Sequence, residues 1–309
     1  MKKLLFFLLF LAAGGLLWFL FLKKYDYEFR MDAKYGPGSV YREIFEWEEF
    51  IKQNSGEIKI KDTIPYRQLV QEFNSGTPEQ LDLLWEFEKE NDSVTGITVN
   101  VRVPNDRLKN RLAILNPFKK SELVDSLKNK LLDFKRQLNK KQEAYRIHIS
   151  DSIVKSPAMD CICHSSKNIS LNGKAWEMLQ TIEFLQDYVM ANDLDLSGSP
   201  FVKVTRWDRE KDLMDFDFCF PVNLVQSLRE TKDVQFKTYS SSSSLKAVFN
   251  GNYRSSYLAW FDLLEKAEER DLKYSALPLE IFHDNPQSGT DAITWKADIY
   301  LPVLPQGNP

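Results

Sequence analysis

LPLEIFHDNP, Leu277 to Pro286, reads as a short apolar strand running into an Asp-Asn-Pro turn, with one carboxylate, Glu280, in its middle. Glu is depleted in strands, and a buried, unpaired carboxylate is costly, so Glu280 either faces water or meets a partner. The stretch also closes a repeat. Ala158–Cys163 has the pattern of a strand, Leu171–Met190 that of a helix carrying Trp176, Leu179, Ile182 and Phe184, and Pro200–Thr205 and Met214–Val222 those of two more strands. The same grammar recurs in strands within Val234–Asn250, a helix over Ser256–Arg270 carrying Trp260, Leu263, Leu264 and Ala267, and strands at Pro278–His283 and Thr294–Val303. FVKVT echoes PLEIF, and CFPV echoes YLPV. Two similar modules about a pseudo-two-fold axis are expected, with their cleft as the natural pocket. In this register Lys203 and Glu280 are counterparts.

Working back toward the N-terminus, Val40–Ile51 and Ser121–Ala144 carry apolar residues at helical spacing. The stripes are Val40, Ile44, Trp47 and Ile51 in the first, and Leu123, Leu127, Leu131, Phe134 and Leu138 in the second. Tyr25–Ala33, Ile58–Pro65, Gln80–Glu90 and Val94–Pro104 alternate as strands, the last two joined by hairpin residues Glu90–Ser93. A curved sheet gripping the long helix follows, with Ser156-Pro157 near its boundary.

Leu4 to Leu22 is an uncharged run between Lys2-Lys3 and Lys23-Lys24, and about 20 apolar residues span a bilayer as a helix. Its small residues, Ala12 to Gly15, lie inside the run, which favours an uncleaved anchor over a signal peptide. Positive-inside counting tilts the C-terminal part slightly toward the cytoplasm and leaves the side open.

The chain of 309 residues is 28% charged with a net charge of −3, so no basic excess points to nucleic acid. Three cysteines, Cys161, Cys163 and Cys219, argue against a disulfide framework and read as packed core thiols. CICH, Cys161–His164, lacks the spacing for zinc or haem. No phosphate loop, GxSxG or HExxH is present, and neither metal nor cofactor is expected. In MDFDFCF, Asp215 and Asp217 read as a solvated face, and Phe216, Phe218 and Phe220 as core or pocket wall. Around Glu280 the candidate wall is Tyr253, Tyr257 and Trp260 from the helix, Phe282 from the same strand and Tyr300 from its neighbour. A carboxylate at the base of an aromatic cluster suits a cation, or acid–base work.

PFVKVTRWD (Pro200–Asp208), DFCFPV, FNGNYRSSYLAWFDLL (Phe249–Leu264), PLEIFHDNP and ADIYLPV together resemble the GyrI-like small-molecule-binding domain, also the effector-binding domain of multidrug-responsive bacterial regulators. The resemblance implies two βαββ modules, places the family's buried acid on Glu280, and puts its aromatic wall on Tyr253 and Trp260 and less directly on Tyr257, Phe282 and Tyr300. The segment from Tyr25 to about Ser150, through LDLLWEFEKEN and its long final helix, resembles an SRPBCC (START-like) helix-grip domain, which implies an apolar cavity. The expected chain is α+β: a transmembrane anchor over residues 1–24, a helix-grip domain over 25–153 and a GyrI-like domain over 154–305. The expected function is membrane-anchored, non-catalytic binding of a small hydrophobic or cationic molecule. The alternatives are a hydrolase of electrophilic small molecules that uses Glu280, and a protein-inhibiting interaction module.

Overall fold

The computed structural model describes residues 2–54, 57–74, 80–91, 94–104, 107–115, 122–209, 211–223 and 228–305. The chain divides into two compact units, Met1–Lys140 and Lys141–Pro309, each mixing helices with an antiparallel sheet.

In the first unit the apolar N-terminal run is not one spanning helix. Helix α1 (Lys2–Leu17) gives way to a five-residue π turn, Trp18–Leu22, and none of the described helices is long and apolar enough to cross a membrane. Sixteen residues of α-helix rise about 24 Å, short of the ~30 Å hydrocarbon core. Arg111 holds the C-terminal end of this run. Its guanidinium, fully buried, donates to the carbonyls of Phe19 (2.8 Å), Leu20 (3.0 Å) and Lys23, the C-terminal acceptors that a helix cannot satisfy internally. Asp26 holds Arg111 through Nε (2.8 Å) and also accepts the Val103 N–H (2.9 Å). The widened turn, in which Lys23 N–H reaches back to Trp18 O, fits this pull.

The rest of the unit is β1 (Tyr27–Ala33), α2 (Pro37–Asn54), β2 (Glu57–Ile64), β3 (Gln68–Asn74), β4 (Gln80–Asn91), β5 (Val94–Arg102), α3 (Arg107–Ile114) and α4 (Glu122–Gln142). The sheet order is β1-β5-β4-β3-β2. Leu81, Leu83, Trp85 and Phe87 of β4 point inward as their alternation requires, and so do Ile97, Val99, Val101 and Val103. Val40, Ile44 and Trp47 of α2 and Leu127, Leu131, Phe134 and Leu138 of α4 are buried; the side chains of Ile51 and Leu123 lie outside the described residues, as do Asp92 and Ser93 of the expected hairpin. Trp47, Trp85 and Phe134 form a triangle with ring centroids 5.2–5.7 Å apart. Two elements, β3 and α3, have no counterpart in the sequence reading.

The second unit starts earlier than expected. Strand β6 (Tyr145–Ile149) pairs with a strand of this unit, so the division falls before Tyr145 rather than after Ile153. There follow β7 (Val154–Lys155), β8 (Met159–Ser170), α5 (Lys174–Ala191), β9 (Phe201–Asp208), β10 (Leu213–Pro221), β11 (Gln235–Tyr239), β12 (Ser243–Gly251), α6 (Leu258–Glu269), β13 (Leu279–Phe282) and β14 (Lys296–Pro302). The order β11-β8-β10-β9-β13-β14-β12-β6 mirrors itself about the β9–β13 junction. The duplication extends to single hydrogen bonds. Val204 N–H donates to Pro278 O (3.0 Å) and Phe282 N–H to Pro200 O (2.9 Å); Ser197 N–H donates to Pro221 O and Ser275 N–H to Pro302 O, both at 2.9 Å. Asp193 and Asp271, each just past its helix, have φ of 50° and 51°.

These pairs set the register of the repeat. Val204 corresponds to Phe282, so Val202 corresponds to Glu280 and Lys203 to Ile281, one residue away from the FVKVT–PLEIF alignment. A slip of one residue in a strand exchanges the faces. Lys203 pairs with Leu279 and Glu280 with Val202, so Lys203 and Glu280 lie on opposite faces of the sheet.

Candidate functional site

Glu280 is fully buried on the face of β13 that it shares with Phe282. Its partner is Lys174, the first residue of α5, likewise fully buried and ion-paired with Glu280 Oε2. Lys174 Nζ also donates to Ser256 Oγ (2.7 Å), which in turn reaches Glu280 Oε2 (3.2 Å). Trp260 Nε1 donates to the other carboxylate oxygen at 2.5 Å. The ammonium lies 5.0 Å from the Trp260 ring centroid and 5.9 Å from that of Phe282. Burial pushes the Lys174 pKa down, and the charge and hydrogen bond of Glu280 act against that.

The elements explain this convergence. Lys174 follows the Leu171–Gly173 turn, which Tyr257 holds by donating to Asn172 Oδ1 (3.0 Å). Ser256 and Trp260 flank the start of α6, where the preceding Asn252 side chain accepts from Arg254 N–H and orders the entry. The structure therefore brings Glu280, Trp260 and Phe282 together, with Tyr257 beside them. Tyr253 packs on Phe282 (4.8 Å), but its hydroxyl donates to Lys296 O (2.8 Å) and accepts from Asp284 N–H (3.0 Å), clasping the β13–β14 connection; burial raises its pKa to about 12. Tyr300 pairs with Leu279 and belongs to the opposite face. Lys203, expected as the counterpart of Glu280, instead donates to Leu277 O (2.7 Å), and burial lowers its pKa to about 8. Lys174 and Ser256 were missed by the sequence reading.

The opposite face carries a cavity of about 500 Å³ lined by residues including Met159, Ser199, Ile281, His283, Asp298 and Tyr300. Beside it lies a small apolar cluster with Phe201, Leu279 and the three cysteines. The cysteines are not all thiols. Cys163 and Cys219, directly opposed on β8 and β10, form a disulfide with Cα atoms 4.1 Å apart. Cys161 remains a buried thiol whose pKa burial raises to about 12. The expected set of three packed thiols is thereby corrected: two of the cysteines pair across neighbouring strands, which an odd count conceals. Asp217 is also not solvated. Only 2% exposed, it accepts from Ser165 (2.5 Å), Lys237 (2.7 Å) and Tyr239. Asp215, by contrast, pairs with Arg206, whose hydrogen bonds hold its pKa down at about 2.

No family model and no curated protein matches the chain. Several solved structures are similar to parts of it. The EcmrR C-terminal domain is 17% identical, with 52% of this chain and 98% of that domain covered and a TM-score of 0.43. A protein named SAV2435, solved bound to tetraphenylphosphonium, is 9% identical, with 52% and 93% covered and a TM-score of 0.34. A hydrolase from Listeria innocua is 12% identical, with 55% and 98% covered and a TM-score of 0.31. All three are likenesses of low identity and low TM-score.

Proposed function

We propose that the second unit is a GyrI-like small-molecule receptor that takes a hydrophobic or cationic molecule at Glu280 by displacing the Lys174 ammonium. The single observation that carries this reading is the setting of that ammonium: one carboxylate, one hydroxyl and two aromatic rings around a buried positive charge. This is a cation receptor filled by the chain's own lysine. Cation–π attraction in a desolvated site is on the order of 2 kcal/mol. A buried ion pair, meanwhile, returns little net stability because desolvation offsets its attraction. An outside cation therefore competes against a modest opponent. Lys174 is also the first residue of its helix, so it lies at a helix end and outside the sheet.

Attachment to a membrane through residues 4–22 is supported by the large apolar side chains exposed along α1 and the π turn, among them Leu4, Phe6, Phe10, Trp18 and Leu22. An SRPBCC-like identity for the first unit is supported by its five-stranded sheet and long α4; the Trp47–Trp85–Phe134 triangle fills that interior, and we assign no ligand to it. A hydrolytic role for Glu280 gains no support from a carboxylate that has no exposed surface.

The test is tryptophan fluorescence of the full chain titrated with tetraphenylphosphonium. Saturable quenching is expected. Glu280→Gln should weaken binding about tenfold or more, and Lys174→Gln, which removes the internal competitor, should tighten it, tenfold being about 1.4 kcal/mol. Linear, unsaturable quenching, or equal affinities in all three proteins, would sink the proposal.

A further inference from the structure

The cavity on the face away from Glu280 holds a second constellation. His283 Nε2 lies 3.1 Å from Asp298 Oδ2, and His283 Nδ1 lies 3.5 Å from Ser199 Oγ. All three residues line the same ~500 Å³ cavity. We propose that Ser199, His283 and Asp298 form a nucleophilic site that accepts acyl groups from small esters.

Each member is placed by the sheet. Asp298 sits on β14 directly opposite Ile281, and His283 follows two residues later on the same face. The His283 backbone N–H donates to Lys296 O at 2.9 Å and fixes the end of β13. Ser199 lies between two anchored points, Ser197 N–H on Pro221 O and Pro200 O accepting from Phe282 N–H. Burial raises the Asp298 pKa, but Lys246 (3.0 Å), His283 and Lys296 outweigh it and keep the group below the usual carboxylate range. An ionised Asp298 accepts from Nε2–H, which leaves Nδ1 as the acceptor that faces the serine hydroxyl. The 3.5 Å separation is long for a hydrogen bond, as resting sites without substrate often are.

The repeat supplies an internal control. By the offsets that align the two modules, the positions equivalent to Ser199 and His283 are Leu277 and Thr205, and the position equivalent to Asp298 is Asp217. The carboxylate is common to both copies; at the other two positions Ser199 is matched by a leucine and His283 by a threonine. The fold therefore does not require the three to meet.

The step balances without a cofactor. Ser199 Oγ attacks the ester carbonyl as its proton passes to His283 Nδ1, and the C–O bond to the alcohol breaks as that proton passes to the leaving oxygen. Water then adds to the acyl-serine with His283 as base, releasing the acid and restoring Ser199. The apolar wall of Met159, Ile281 and Tyr300 suits an apolar acyl group.

The full chain is treated with a short-chain alkyl fluorophosphonate and analysed by intact and peptide mass. One adduct on Ser199 is expected, with none in Ser199→Ala, and labelling slowed about 100-fold or more in His283→Gln. Ser199 is in an exposed loop, so its alanine variant should keep the wild-type circular dichroism. No adduct, an adduct elsewhere, or an unchanged rate in His283→Gln would overturn the proposal. Because the site is on the opposite face of the sheet from Glu280, its failure leaves the cation-receptor reading intact.

Discussion

Helices α5 and α6 are the two copies of one element. Ala175-Trp176 opens α5 as Ala259-Trp260 opens α6, yet Trp176 is 66% exposed and Trp260 is fully buried. Part of the difference comes from across the junction. Trp207, at the end of β9, packs on Trp260 and Phe261 with centroids 5.3 and 5.5 Å apart. The position 78 residues later, on the second copy, is Asn285, which offers no ring to α5. Leu179 and Phe184 of the expected α5 stripe are exposed with Trp176, and the buried face is Lys174, Thr181, Leu185 and Tyr188. Lys174 stands where α6 has Leu258, and Glu280 stands where β9 has Val202. One copy contributes the cation and the other the anion, so divergence has turned a symmetric scaffold into one charged site.

The ion pair offers the largest break. Lys174→Met leaves the Glu280 charge buried alone and should cost about 3–5 kcal/mol in urea unfolding. The double variant Lys174→Met/Glu280→Gln should recover most of that loss. Purely additive costs would mean that the two charges are not coupled.

The tryptophans come next. Trp260→Ala should cost about 3–5 kcal/mol, as large core truncations do. Trp176→Ala should stay within about 0.5 kcal/mol, as surface changes usually do. Comparable losses would show that α5 is covered in solution.

The smallest effect is a pH dependence. Lys203→Ile installs the residue of the other copy. The Lys203 pKa is near 8 in the fold and 10.5 ordinarily, so between these values the unfolded chain holds a proton that the folded chain has lost. Wild-type stability should therefore rise with pH from 8 to 10 relative to Lys203→Ile, and the difference should flatten below pH 8. Tyr253, with its raised pKa, acts in the other direction only above about pH 10. A denaturation midpoint difference that is constant from pH 7 to 10 would remove Lys203 as a buried titrating group.

Much of this architecture is legible in the sequence where one face packs and the other is wet. β4, β5 and α4 show this, because alternation and helical spacing are local signals. Strand β3 was hidden because its central inward residue is Gln71, which is buried to accept Trp85 Nε1 at 2.8 Å. Helix α3 was hidden because its buried residue is Arg111. The repeat was visible, but its register was not. Only the sheet's hydrogen bonds decide between neighbouring alignments, and the choice moves Lys203 to the other face. Glu280, Trp260 and Phe282 were found by type and spacing, and Lys174 was not. One signal was there: a cation in the first turn of a helix opposes the macrodipole and asks for a nearby anion. Nothing local could join Ser199 to His283 and Asp298, which meet only through strand pairing.

The Lys174–Glu280 pair also has a consequence in time. Its members are 106 residues apart, and the lysine is made first. At about 5–20 residues per second, a nascent chain carries Lys174 for roughly 5–20 s before its carboxylate exists. Until then the first module has a charge with nowhere dry to go, so its helix has reason to stay open on the ribosome until the second module arrives to close it.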